Sequence, residues 1–178
     1  MFLHLATSAV ILALQVSAQT TATPTTTALP TLESGWYWVR AVEEPNYHSY
    51  LQTKPTATPG AAYLDAGANA GQYNVVDGQL VYHTGGDPLY MNVENVADKT
   101  QRKLQTWFNE TENAYGEFGF QGDTLTWSVA DINRPNTAAW YACEAQQLYI
   151  NTGAYLYQTP EGCSDATIHS YGGSTPDA

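Results

Sequence analysis

The stretch YNVVDGQLVYH, residues 73–83, decides the fold class of this chain. Two runs rich in Val, Leu and Tyr flank the dipeptide Asp77-Gly78. Asp-Gly between such runs is typical of a type I′ turn, because both central residues of that turn need a positive φ. The stretch therefore predicts a β-hairpin and points to an antiparallel sheet.

A second turn signal, Gly122-Asp123, leads into the segment TLTWSV at residues 124–129. Leu125, Trp127 and Val129 occupy alternate positions of this segment, and successive side chains of a strand point to opposite faces. The alternation predicts that these three residues form a buried face and that the intervening Thr and Ser side chains meet water.

Working outward from these two hairpins, the pattern predicts about twelve short strands and no convincing amphipathic helix. We therefore expect a single all-β domain, built as an antiparallel β-sandwich or a distorted β-barrel, with a β-trefoil as the alternative. The predicted strands are Trp36–Val42, Ala61–Asp65, Tyr73–Val76, Leu80–His83, Leu89–Val93, Leu104–Asn109, Phe118–Gln121, Thr124–Val129, Ala139–Cys143, Gln147–Asn151, Tyr155–Gln158 and Ala166–Ser170.

The residues before the β-domain indicate secretion. An apolar run, Leu5–Val16, precedes Val16-Ser17-Ala18, which has small residues at the −3 and −1 positions of a cleavage site. We predict a signal peptide at 1–18 and a Thr/Pro-rich linker at 19–32, which cannot bury a core. The β-domain is then expected at 33–174 and a flexible tail at 175–178.

Charge and cysteine content restrict the partners and the compartment. Six Lys and Arg residues face seventeen Asp and Glu residues, a net charge of −11. Nucleic acid and an anionic membrane surface are therefore not expected partners, because both require clustered basic residues. Cys143 and Cys163 are the two cysteines, and an even pair in a secreted chain predicts one disulfide. A secreted or wall-associated monomer is expected.

The chain lacks the sequence motifs of common catalytic sites. It has no Gly-x-Ser-x-Gly elbow, and His48, His83 and His169 lie in separate segments without metal-ligand spacing. Acidic residues that could form a glycosidase pair are more simply interpreted as solvated surface charge. No catalytic residue, metal or cofactor is therefore predicted. The acidic candidates are Glu43, Glu44, Glu110, Glu112, Glu117, Asp123 and Glu144.

Aromatic residues offer a second function, because flat rings on a β-domain can stack on sugars. The sequon Asn109-Glu110-Thr111 predicts N-glycosylation of Asn109, whose side chain must then face water. Trp107 has the same strand parity as Asn109, so it is expected on or near the outer face. Trp107 is thus the first candidate for sugar stacking. The further candidates are Tyr149, Tyr155 and Tyr157.

The C-terminal half carries a family resemblance. The segments GDTLTWSV (122–129), WYAC (140–143), QLYINTGAYLY (147–157) and PEGC (160–163) follow the upstream segment YNVVDGQLVY. Over roughly residues 72–165 this order resembles the family of the fungal cell-wall protein PhiA and its secreted relatives. The resemblance implies a secreted, wall-associated protein connected with spore-bearing structures or stress protection, with no catalytic residues to carry over.

The expected function is accordingly that of a non-enzymatic extracellular or cell-wall glycoprotein. A carbohydrate-binding module acting on wall polysaccharide is the first alternative, and a secreted glycoside hydrolase or effector is the second.

Overall fold

The computed structural model describes residues 28–177, so the predicted signal peptide and the first part of the linker lie outside the described residues. Within this range the chain forms thirteen strands and two short 3₁₀ turns, Gly67–Asn69 and Glu144–Gln146. The strands are β1 Tyr37–Ala41, β2 Tyr50–Thr53, β3 Gly60–Asp65, β4 Gln72–Val76, β5 Gln79–His83, β6 Leu89–Val93, β7 Lys103–Asn109, β8 Glu117–Gln121, β9 Thr124–Ser128, β10 Trp140–Ala142, β11 Leu148–Asn151, β12 Ser164–Ala166 and β13 Ile168–Tyr171.

Seven of these strands close into an antiparallel barrel in the order β1-β2-β3-β7-β6-β5-β4, after which β4 pairs with β1 again. Asp77 and Gly78 connect β4 to β5 with φ angles of 48° and 78°, the positive values predicted for this turn. The all-β barrel confirms the predicted fold class. Seven strands cannot arise from three equal repeats, so the β-trefoil alternative is excluded.

Two sheet extensions grow from the barrel. On one side β13 pairs with β1, β9 pairs with β13 and β8 pairs with β9. On the other side β11 pairs with β7, β10 pairs with β11 and β12 pairs with β10. The extensions meet where Trp127 of β9 donates its backbone N–H to Thr137, just before β10. Barrel and extensions therefore share one apolar core.

The core holds three fully buried tryptophans, Trp38, Trp127 and Trp140. Each indole N–H donates to a backbone carbonyl, at 2.8, 3.1 and 3.2 Å respectively. These bonds matter because a buried donor without an acceptor costs about 1–3 kcal/mol. Full burial of Leu125 and Trp127 confirms the face predicted from TLTWSV, and Val129, the third predicted residue, is half-buried against the core.

A buried arginine joins the two extensions. The Arg134 guanidinium donates to the carbonyls of Asn151 at 3.0 Å and Ala139 at 2.6 Å, and also to those of Trp127 and Thr137. Burial without a carboxylate partner lowers the pKa of Arg134 to about 10. The side chain therefore stays cationic near neutral pH and donates to four carbonyls, of which those of Thr137 and Ala139 also accept a backbone N–H.

Most predicted strands occur within one or two residues of their observed bounds, with three differences. The strand β2 was not predicted, because its sequence YLQT does not alternate between apolar and polar residues. In the structure all four side chains are buried. The predicted strand Tyr155–Gln158 is wrong: it forms a turn in which Leu156 and Gln158 have positive φ. The predicted strand Ala166–Ser170 is divided between β12 and β13.

The two ends of the described chain lie against the domain. Leu32, in the predicted linker, donates its backbone N–H to Ser174 at 2.9 Å. At the predicted flexible tail, Pro176 is buried, and the Asp177 carboxylate accepts hydrogen bonds from Arg40 and Tyr50. The structure thus places Thr175–Asp177 on the domain, because this carboxylate has a cation and a hydroxyl as partners.

Candidate functional site: an aromatic surface at a sheet fork

The outer face of β7 carries the candidate site. Leu104, Thr106 and Phe108 point into the core, and the alternate residues Lys103, Gln105, Trp107 and Asn109 face outward. Trp107 is half-buried and Asn109 is exposed, which confirms the predicted parity of these two residues. One strand face therefore presents a cation, an amide, an indole and a sequon in order.

The sheet forks at one edge of β7, where β3 and β11 both pair with this strand. Ala61 of β3 lies opposite Trp107, and Tyr149 of β11 lies opposite Gln105. Tyr63 bridges to Gln147 just before β11. Cross-strand and diagonal neighbours on one face lie about 5–8 Å apart. The fork thus gathers Tyr63, Trp107 and Tyr149, all half-buried, into one group that we call the aromatic surface.

Within the described part of the chain, the polar side-chain atoms of the aromatic surface have no hydrogen-bond partner. The Trp107 indole N–H and the Tyr63 and Tyr149 hydroxyls make no hydrogen bond within residues 28–177, and none of them is a buried unpaired atom. The side-chain amides of Gln105 and Gln147 also make no hydrogen bond within residues 28–177, and neither contains a buried unpaired atom. These groups face water, so they are available to the hydroxyls of a ligand.

Two lysines border the rings. The Lys54 ammonium lies 4.9 Å from the centre of the Tyr63 ring, and the Lys103 ammonium lies 4.6 Å from that of Tyr149. Burial, with a contribution from the nearby Tyr63, raises the pKa of Tyr149. The Tyr149 hydroxyl therefore remains protonated near neutral pH and keeps its capacity to donate a hydrogen bond.

A groove of about 450 Å³ continues the aromatic surface at its Lys103 end. Lys103, Gln147 and Tyr149 line this groove together with Glu144, Glu161 and the disulfide. The Cys143–Cys163 bond, predicted from the cysteine count, is confirmed. The volume is within the range of small-ligand sites, so a sugar unit fits beside the rings.

Of the four aromatic candidates, the structure brings two together. Trp107 and Tyr149 belong to the aromatic surface, whereas Tyr155 and Tyr157 lie in the turn after β11. The Tyr155 hydroxyl donates to Glu43, and the Tyr157 carbonyl accepts from Arg102 at 2.6 Å. Tyr63 was not among the predicted candidates. The alternation of its strand is enough to place Tyr63 on the outer face, but its proximity to Tyr149 results from β3 and β11 both pairing with β7.

Among the acidic candidates, Glu144 lines the groove at the Lys103 end, and the others do not line it. Glu117 and Asp77 line an open groove of about 650 Å³ beside the β4–β5 turn, and Glu112 lines a neighbouring groove. The three histidines of the domain are separate from one another, and each faces one carboxylate. Within residues 28–177, no group of three or more His, Cys, Asp or Glu side chains is arranged to bind a metal ion.

No helix of the described residues has the length and apolarity needed to span a membrane.

The chain matches no protein-family model. Comparison with curated proteins gave no match. Comparison with solved structures gave none either. The resemblance to the PhiA family stays an expectation that rests on the motifs alone.

Proposed function

We propose that this chain is a secreted, non-catalytic glycoprotein of the extracellular space or cell wall, and that it binds wall polysaccharide through the aromatic surface. A disulfide and the absence of a spanning helix in the described part are compatible with secretion. The resemblance to secreted wall proteins favours the same location.

The observation that carries the binding proposal is the difference in hydrogen bonding between the inner and outer aromatic residues. The buried tryptophans donate their N–H groups to backbone carbonyls, whereas the N–H and hydroxyl groups of the aromatic surface have no partner among residues 28–177. Pyranose rings have an apolar C–H face and a polar hydroxyl edge. Rings with free polar atoms and neighbouring amides match both parts of such a ligand.

The position of the groove at the Lys103 end indicates the path along which the proposed ligand would run. A chain that entered beside Tyr149 would meet Gln147 first and would then reach Tyr63, which lies opposite Gln147. Several contacts along one extended ligand suit a polymer, because weak contacts to successive units add. We therefore favour an uncharged wall polysaccharide, such as chitin or β-glucan, over a free monosaccharide.

The binding test uses the purified mature chain with insoluble chitin and β-glucan, and with soluble oligomers of each. Tyr63→Ala and Tyr149→Ala should each raise the Kd about tenfold, which corresponds to 1.4 kcal/mol of lost contact. Tyr157→Ala is the matched control, because Tyr157 is 59% exposed but lies in the turn after β11. Equal Kd values for all four proteins, or an equal loss in the control, would contradict the proposal.

Two further measurements examine the rest of the proposal. Fractionation of a culture into cell wall and medium tests the location, and retention inside the cell would refute secretion. A screen for release of reducing ends from chitin, β-glucan and xylan tests the absence of catalysis. Turnover that disappears in Glu117→Gln would assign hydrolysis to the groove beside the β4–β5 turn instead.

A further inference from the structure

The sequon is placed at the opposite end of the aromatic surface from the groove. Asn109 is the last residue of β7 and its side chain is exposed. Its Oδ1 accepts the Glu110 backbone N–H at 2.8 Å, and its Nδ2 has no acceptor among the described residues. Glu110 and Thr111 are also exposed. The atom that would carry a glycan is thus free and faces solvent.

Two aromatic rings flank Asn109. Trp107 precedes it by two residues on the same strand face, at about 7 Å along the strand. Tyr90 of β6 lies directly opposite Asn109. Asn92, opposite Trp107, donates its side-chain amide to the carbonyls of Tyr90 and Thr111, both at 3.0 Å. These bonds tie the backbone of the sequon to β6, so the strand positions of Asn109, Trp107 and Tyr90 are held relative to one another.

We propose that the N-glycan of Asn109 packs its first N-acetylglucosamine on Trp107, with Tyr90 bordering the other side of the sugar. The inference rests on the secretion part of the proposed function, since the modification takes place on the secretory route. In the transfer step, Asn109 Nδ2 loses a proton and forms a C–N bond to the anomeric carbon, while the bond from that carbon to a lipid pyrophosphate breaks.

This packing explains why a large ring stands partly exposed next to the sequon. Half-burial of Trp107 leaves apolar ring surface in contact with water, and covering it with the C–H face of a sugar recovers part of that cost. The aromatic surface then has two different ends. The Trp107 end is covered by the protein's own glycan, and the Tyr63 and Tyr149 end stays open for polysaccharide.

The test compares three forms of the secreted chain: the full N-glycan, the glycan trimmed enzymatically to one N-acetylglucosamine, and Asn109→Gln. In the native background, the single sugar should raise the thermal midpoint by about 2–4 °C over Asn109→Gln, which corresponds to about 1 kcal/mol. In Trp107→Thr, most of that increment should disappear. In Tyr149→Thr, a control on the same surface, it should persist.

A direct measurement supports the thermal comparison and does not depend on stability. With one N-acetylglucosamine attached, sugar protons that lie over the indole should shift upfield and show cross-peaks to Trp107 in proton NMR spectra. Equal thermal increments in all backgrounds, unshifted sugar protons, or an intact mass without glycan at Asn109 would each overturn the proposal. Loss of polysaccharide binding in Tyr63→Ala leaves these readouts unchanged, so the two proposals fail separately.

Discussion

The tryptophans of this chain divide into two environments that their local sequence only partly distinguishes. Trp127 and Trp107 both occupy alternating positions of a β-strand. Trp127 is fully buried, its N–H is bonded to Tyr115, and the Arg134 guanidinium lies 5.5 Å from its ring centre. Trp107 is half-buried on the outer face and its N–H faces water. The same residue type therefore serves packing in one place and is available for recognition in the other.

Removing the ring of Trp127 and that of Trp107 in separate variants should give the largest difference in stability between the two environments. Trp127→Ala should reduce the free energy of unfolding by about 3–5 kcal/mol, because it leaves a large cavity in the core. Trp107→Ala, measured without the N-glycan, should cost about 1 kcal/mol, because the site is open to water. Urea denaturation of both variants measures the difference, and similar losses would show that the two environments are equivalent.

The inner environment also depends on Arg134, and its removal should have the next largest effect. Arg134→Met should cost about 3 kcal/mol in free energy of unfolding, because it leaves the buried carbonyls of Asn151 and Trp127 without their side-chain donor. Arg102→Met is the matched control: Arg102 is half-buried and bonds the Tyr141 hydroxyl and the Tyr157 carbonyl.

The control should cost about 1 kcal/mol, the usual net value of a hydrogen bond that solvent can replace. Denaturant midpoints of the two variants provide the measurement. A loss for Arg102→Met as large as that for Arg134→Met would mean that burial of the guanidinium is not what makes Arg134 important.

Removing the charge of Asp177, near the end of the described chain, should have the smallest effect on stability, and this effect should depend on pH. Hydrogen bonds from Arg40 and Tyr50 outweigh partial burial and lower the pKa of Asp177. A carboxyl whose pKa is lowered by folding contributes stability above its ordinary pKa, about 4, and loses that contribution as the pH falls through the lowered value. Asp177→Asn removes the contribution.

At pH 7 the thermal midpoint of Asp177→Asn should lie about 1–3 °C below that of the native chain, since partly exposed ion pairs contribute up to about 1 kcal/mol. The two midpoints should converge as the pH falls below the ordinary carboxyl pKa and through the lowered one, because the native carboxyl then becomes protonated. Scanning calorimetry across this range is the measurement. A difference that stays constant with pH would show that the carboxylate charge is not involved.

Local pattern predicted many of the strands well, and its failures have physical causes. The β4–β5 hairpin was predictable because its turn residues and its alternation are both local. Strand β2 was not, because Gln52 and Thr53 look like loop residues but are buried, and Gln52 accepts a hydrogen bond from the Tyr82 hydroxyl at 2.5 Å. Tyr155–Gln158 alternates like a strand, yet two positive φ angles turn the chain.

The candidate site was predictable to the extent that it depends on one strand. The outward position of Trp107 followed from its parity with Asn109, since side chains alternate along any strand. The sequence did not predict that Tyr63 belongs to the aromatic surface, because this depends on β3 and β11 meeting at the same edge of β7. The β3 and β7 partners are more than forty residues apart in the chain, as Ala61 and Trp107 show.

The sequence by itself determined the elements whose causes are local: the all-β class through alternation, the Asp77-Gly78 turn, the cysteine pair and the face on which Trp107 and Asn109 lie. Only the tertiary structure decided that seven strands close into a barrel, that Tyr63 joins Trp107 and Tyr149, and that Arg134 donates to four carbonyls. The physical reason is that alternation and turn geometry depend on neighbouring residues. Strand pairing and the burial of polar groups are set by the free energy of the whole core.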